Sequence, residues 1–240
     1  MNKKTTLIVI LLLSIAGRVL GDTASGEAVH CRQLIGAVRP PSEDDERGAR
    51  YLDDADRAYR DCRDGRLPLD VRVNALRMYG IASEIRGRSQ AAIGAYKEAL
   101  GLLDRAEANH RAMLIEVLDQ AASVETRAGL RSDATAHSKQ ALDERGKQYG
   151  STSAEVSTGM VTLAMVHASF GEYEQSEKLL RQGVRVAEKV CPQPECDALA
   201  FAYSGMQTFY DLVGKSSEAR KYAELAQEAI PSRRRGGSKE

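Results

Sequence analysis

The chain has 240 residues, 42% of them hydrophobic, which is enough to bury the core of one domain or a short repeat array. It contains no Trp and three Phe, while Ala, Leu, Glu and Arg recur at close intervals, a composition that argues against a β-rich fold and for an all-α one. Its 34 basic and 34 acidic residues balance, so nothing in the overall charge points to nucleic acid as a partner.

Residues 1–21 read as a secretory signal peptide. Lys3 and Lys4 form a positive start, Leu7 to Gly17 is an apolar run, and Val19-Leu20-Gly21 offers a cleavage region. A membrane anchor needs roughly 20 apolar residues, and Arg18 interrupts the run before that. Lipidation at Cys31 is disfavoured because the bulky His30 precedes it. Cleavage removes Lys3, Lys4 and Arg18 and no acid, so the net charge falls from zero to minus three. The expected location is therefore periplasmic or secreted, with no membrane insertion after cleavage.

Residues 24–38 and 43–62 have helical patterning and are separated by Arg39-Pro40-Pro41, with Ser42 and Asp45 offering a cap to the second helix. Asp64 to Leu67 forms a joint.

From residue 67 the chain repeats. Gly87, Gly129, Gly171 and Gly214 recur at nearly constant spacing, with a small residue five positions on (Ala92, Ala134, Ser176, Ala219) and another twelve on (Ala99, Ala141, Gly183, Ala226). Small residues seven apart lie on nearly one helix face, where a neighbouring helix can approach closely. Apolar periodic segments flank each Gly, so each unit is predicted to be a helical hairpin around a Gly turn. Thr152-Ser153-Ala154-Glu155 reads as a capping box at the start of the third unit, Pro68 as a helix beginning and Pro231 as a helix end. The units span about 67–107, 108–149, 150–191 and 192–231, and residues 22–66 serve as an N-terminal capping region of the kind a repeat array needs. Residues 232–240, with Arg233-Arg234-Arg235, read as a disordered basic tail.

Leu163-Ala164, Phe170-Gly171-Glu172-Tyr173, Leu180 and Val186-Ala187-Glu188 together resemble the tetratricopeptide (TPR) pattern, as do Tyr210, Gly214, Ala219, Ala226 and Pro231. In period the chain is similar to kinesin-light-chain repeats. The resemblance implies a right-handed superhelical solenoid of antiparallel hairpins whose first helices line a concave groove. Family geometry maps that groove onto Asn74, Arg77, Glu116, Asp119, Ser123, Thr126, Thr158, Val161, Met165, Phe201, Ser204 and Thr208, about half of them facing solvent. Where relatives carry a paired Asn that grips peptide backbone, this chain has Val161-Thr162.

No constellation of residues points to catalysis. His30, His110, His137 and His167 are scattered without partners at metal-ligand spacing, and His167 falls where the family places a core Tyr. Gly214-Lys215-Ser216 imitates the end of a phosphate loop, but Phe209 stands where its first Gly should be. Ser204 lacks the flanking glycines of a nucleophile elbow. No enzyme activity, cofactor or metal is expected.

Four cysteines in an exported chain suit disulfides. Cys191 and Cys196 flank Pro192 and Pro194 at a joint, where a short loop can bring the sulfurs together. Cys31 and Cys62 remain by elimination. A straight hairpin turning at Pro40, however, separates them by about 20 Å, against the roughly 4.4–6.8 Å between Cα atoms that a bridge permits; either the first helix packs differently or the bridge is absent.

The function expected is a protein–protein interaction scaffold or adaptor in the cell envelope, holding a peptide or helix in the groove. The alternative is a structural subunit of an envelope or secretion assembly that uses the convex face and termini.

Overall fold

The computed structural model describes residues 26–36, 45–104, 108–191 and 195–230, with only the backbone of 45–51. The signal segment, the Pro40 turn, the Ser42 cap, Pro231 and the basic tail lie outside these residues. Among the described residues the ordered structure is helical throughout, with no strand. The chain forms two compact units, Met1–Arg105 and Ala106–Glu240.

The first unit contains α1 (residues 26–36), α2 (Asp45–Asp61), α3 (Leu69–Ile85) and α4 (Ser89–Leu103). Here the straight-hairpin expectation fails, because Cys31 and Cys62 are bridged with their Cα atoms 5.6 Å apart. The reason is packing. The apolar stripe of α1, with Ala28, Cys31, Leu34 and Ile35, buries against Cys62, Leu67, Val71 and Ala75 at the α2–α3 joint and the start of α3. An ion pair from Arg32 to Asp70, at 3.2 Å, lies on the same side. Pro68 is the N-cap of α3. At the joint, Arg66 grips Asp64 through its guanidinium and backbone N–H and holds that carboxyl down to about 2. Further along, Tyr59 stacks on Tyr79, Arg86 pairs with Asp56, and fully buried Tyr96 donates to Glu84 at 2.5 Å.

The second unit opens with a 3-10 turn (Ala108–His110) and continues through α5 (Arg111–Arg127), α6 (Arg131–Tyr149), α7 (Ala154–Ser169), α8 (Tyr173–Val190), α9 (Asp197–Leu212) and α10 (Ser216–Ala229). Sequential helices pack as antiparallel hairpins, and α7 also touches both α5 and α9, so the first helices of successive hairpins stand side by side.

The hairpin turns share one mechanism. Gly87, Gly129, Gly171 and Gly214 have φ between +69° and +79°, which disfavours a side chain with a Cβ. In each turn the Gly N–H bonds the carbonyl three residues back and the next N–H the carbonyl five residues back, for example Gly171 to Ala168 and Glu172 to His167. This Schellman closure satisfies carbonyls that a helix end otherwise leaves open.

The small-residue stripes are buried. Ala92, Ala134, Ala99 and Ala141 have no exposed surface, and neither does Ser176. At Gly183 two helices approach closely: a Cβ there would stand 3.3 Å from the Ser157 carbonyl oxygen of α7, while the Ser157 hydroxyl donates to the Gly183 carbonyl at 2.8 Å.

The α7 start differs from the capping box read from sequence. Ser153, not Thr152, is the N-cap, and its Oγ accepts from Val156 N–H at 3.2 Å. The third residue of the helix is then Val156, which has no carboxylate to reciprocate, and Glu155 serves as a first-turn acid.

Cys191 and Cys196 are joined across the α8–α9 joint, with Cα atoms 6.0 Å apart, and Cys196 N–H donates to the Ala229 carbonyl at the end of α10.

Candidate docking face on the second unit

Of the twelve groove positions, Asn74 and Arg77 lie on α3 of the first unit, where Arg77 donates to Asn74 Oδ1 at 2.9 Å. The other ten lie on α5, α7 and α9, the three first helices of the second unit. Five of the twelve are exposed, six are half-buried and one, Val161, is buried.

Val161 is mostly a core residue and reaches this face only at the floor of a depression. It is 2% exposed, and its methyls fill the space beside Gly205, where a Cβ would come within 2.6 Å of them.

Two adjoining depressions mark this face. The first, about 340 Å³, is bordered by Asp119, Ser123 and Thr126 of α5, by Met165 of α7, with Val161 at its base, and by Phe201 of α9. The second, about 630 Å³, is bordered by Thr158, Phe201 and Ser204. Phe201 borders both and is 45% exposed. Glu116 is exposed on α5 and Thr208 on α9, and neither borders a depression.

Sequence reasoning missed Ala122, Arg127, Thr162, Val166 and Ser169 around the first depression and Ala154, Glu155, Asp197, Ala198, Ala200 and Ile230 around the second. The signal was available for several: Thr162, Ser169 and Asp197 lie one helical turn from residues named on the same stripe.

Asp119 also has a structural task. It pairs with Arg145 of α6, a residue that is 8% exposed and whose stem crosses Gly159 of α7. Reversing Asp119 would leave that charge buried and unpaired, so such a variant reports on stability before it reports on binding.

Other polar groups are engaged inside hairpins. His137 lies 2.8 Å from buried Glu125, and this hydrogen bond raises its pKa above the usual imidazole value. Burial pushes the Tyr210 phenol up to about 12, with its hydrogen bond to Glu177 acting in the same direction. His167 meets Glu172 across the α7–α8 turn, which gives this family-Tyr position a polar contact. Among the described residues no group of three or more His, Cys, Asp or Glu side chains could hold a metal ion, and no helix is long and apolar enough to cross a membrane.

No protein-family model matches the chain, and no curated protein matches it. Solved structures do. The chain is similar to nearly identical TPR-like repeats of a kinesin-light-chain-type protein from Podosopora anserina (TM-score 0.64, 13% identity, covering 89% of this chain and 97% of that one). It is also similar to BtubC (BKLC) from P. vanneervenii (TM-score 0.60, 13% identity, 91% of both chains) and to MamA (TM-score 0.53, 17% identity, 92% of this chain and 98% of that one). With all-α hairpins, Schellman turns and buried small-residue stripes in place, the chain has the fold of the TPR-like helical repeat proteins.

Proposed function

We propose that this chain is a non-catalytic scaffold or adaptor of the cell envelope, which holds a peptide or helix of another protein against the α5–α7–α9 face of its second unit. The observation that carries this reading is the pair of depressions bordered by exposed Phe201. An apolar wall ringed by hydroxyls suits a side chain entering from a partner segment. Export is supported by the residue 1–21 pattern and by two disulfides, which persist in oxidising compartments. In the proposed organisation four hairpin repeats follow an N-terminal cap.

The test is selection of roughly twelve-residue random peptides on the mature protein. Binders should be lost by Phe201→Glu and Met165→Glu proteins that keep normal circular dichroism. A second reading, a structural subunit of an envelope or secretion assembly, draws on Leu130, Tyr173 and Leu212, which remain exposed near the turns. Self-association or partner capture lost by Leu130→Ser with Leu212→Ser, and indifferent to Phe201, would favour it.

A further inference from the structure

We propose that the Cys191–Cys196 bridge is a reversible redox joint: a dithiol opens it while Cys31–Cys62 stays closed, and its opening loosens one end of the second depression and weakens binding there. The effect on binding rests on the groove reading above; the order in which the two bridges open does not.

A redox joint needs a bridge that a thiolate can reach, and the two bridges differ in this. Cys31 is 2% exposed, Cys62 has no exposed surface, and both are packed among Ala28, Leu67, Val71 and Ala75. Thiol–disulfide exchange requires direct attack on a sulfur, so reduction there waits for α1 to come away from the start of α3. Cys191 is itself 9% exposed, but Cys196 is only half-buried where α9 begins. One thiolate of the reductant bonds to Cys196 Sγ, the S–S bond breaks and Cys191 leaves as a thiolate. The reductant's second thiolate then displaces Cys196, so two electrons and two protons pass to the protein and the reductant ends as a disulfide.

Such a joint also needs a fold that survives in both forms. This bridge spans a sequence separation of five, against 31 for the other, so its loss returns little entropy to the unfolded chain. Helices α8 and α9 keep other ties: Tyr210 donates to Glu177 at 3.0 Å, and a Cβ on Gly205 would stand 3.1 Å from Leu180.

What the bridge holds in place is an end of the groove. Cys196 is the N-cap of α9, its N–H donates to the Ala229 carbonyl at 2.8 Å, and its carbonyl accepts from Ala200 N–H at 2.9 Å. The residues next to that first bond, Asp197 and Ala198 on one side and Ile230 on the other, border the second depression. Once freed from Cys191, Cys196 gains motion that a ligand in the depression must remove, and affinity falls accordingly.

The test incubates the mature protein with dithiothreitol, traps thiols with iodoacetamide at intervals and maps them by mass. Cys191 and Cys196 should be trapped about tenfold or more faster than Cys31 and Cys62. Cys-free, Phe201-dependent peptides from the display selection should bind the protein opened at this bridge alone about fivefold or more weakly and regain affinity on reoxidation. Cys191→Ser with Cys196→Ser should show the weak affinity and ignore the dithiol. Equal rates, or earlier opening of Cys31–Cys62, would overturn the proposal, as would loss of the helical circular dichroism when only Cys191–Cys196 is reduced, since the bridge would then be a staple of the fold. Equal peptide affinity in the two forms would overturn the redox control and leave the groove reading standing. An absence of Phe201-dependent binders would overturn both.

Discussion

The turns inside the hairpins and the joints between helices outside them are built on different principles. Each hairpin turn has the same Gly conformation and the same pair of backbone hydrogen bonds. The joints are individual: a disulfide with an Asp64–Arg66 clamp between α2 and α3, a Ser153 cap before α7, and a second disulfide between α8 and α9. A turn is closed by local backbone geometry and can be copied along a sequence, whereas a joint must fit whatever surfaces the neighbouring helices present.

The largest effect expected is at the first joint. The Cys31–Cys62 bridge spans a sequence separation of 31, against five for Cys191–Cys196. Loop-closure entropy then gives about 3–4 kcal/mol for the first and about 2 kcal/mol for the second. Thermal melting of Cys31→Ala with Cys62→Ala, beside Cys191→Ala with Cys196→Ala, should show the larger fall for the first pair. An equal fall, or a reversed order, would mean that the α8–α9 joint does more than close a short loop.

Next comes the turn itself. Nothing lies within 4 Å of a Cβ placed on Gly171, so Gly171→Val strains the backbone at φ +79° without a clash and should cost about 1–2 kcal/mol. Gly171→Asn should cost less, because Asn tolerates this region better. Melting points that do not separate Val from Asn would remove the conformational argument from the turns.

This division also explains what the sequence made legible. Gly129 and Gly171 could be read as turns, and the stripes from Ala92 to Ala226 as helix contacts, because both follow from spacing along one helix. The Cys31–Cys62 bridge could not, since it depends on α1 packing against the start of α3 instead of running back along α2. For the candidate face, the helices that carry it were legible through the family resemblance, together with fewer than half of the residues around its two depressions. The burial of Val161 was not, because it depends on the space left by Gly205 on α9. The tie between Asp119 and Arg145 depends on a residue 26 positions away.

The smallest effect sharpens the comparison from within the hairpins. Four residues before and eight after the turn Gly, the backbone is alike but the side-chain pairs differ: Glu125 and His137 across α5–α6, against stacked Tyr210 and Tyr222 across α9–α10. The hydrogen bond to Glu125 raises the His137 pKa in the folded protein, helped by the charges of Glu125 and Asp133 and opposed by burial. A raised folded value means that the protonated form stabilises the fold. That contribution is complete below the unfolded His value, near 6.5, and disappears as pH climbs through the higher folded value. The melting point should therefore fall between pH 6 and pH 8.5 more in the native protein than in His137→Asn, with the Gly129 turn left in place. Parallel pH profiles for the two proteins would show that the Glu125–His137 contact contributes no proton-linked stability and that the hairpin rests on its backbone turn and small-residue packing.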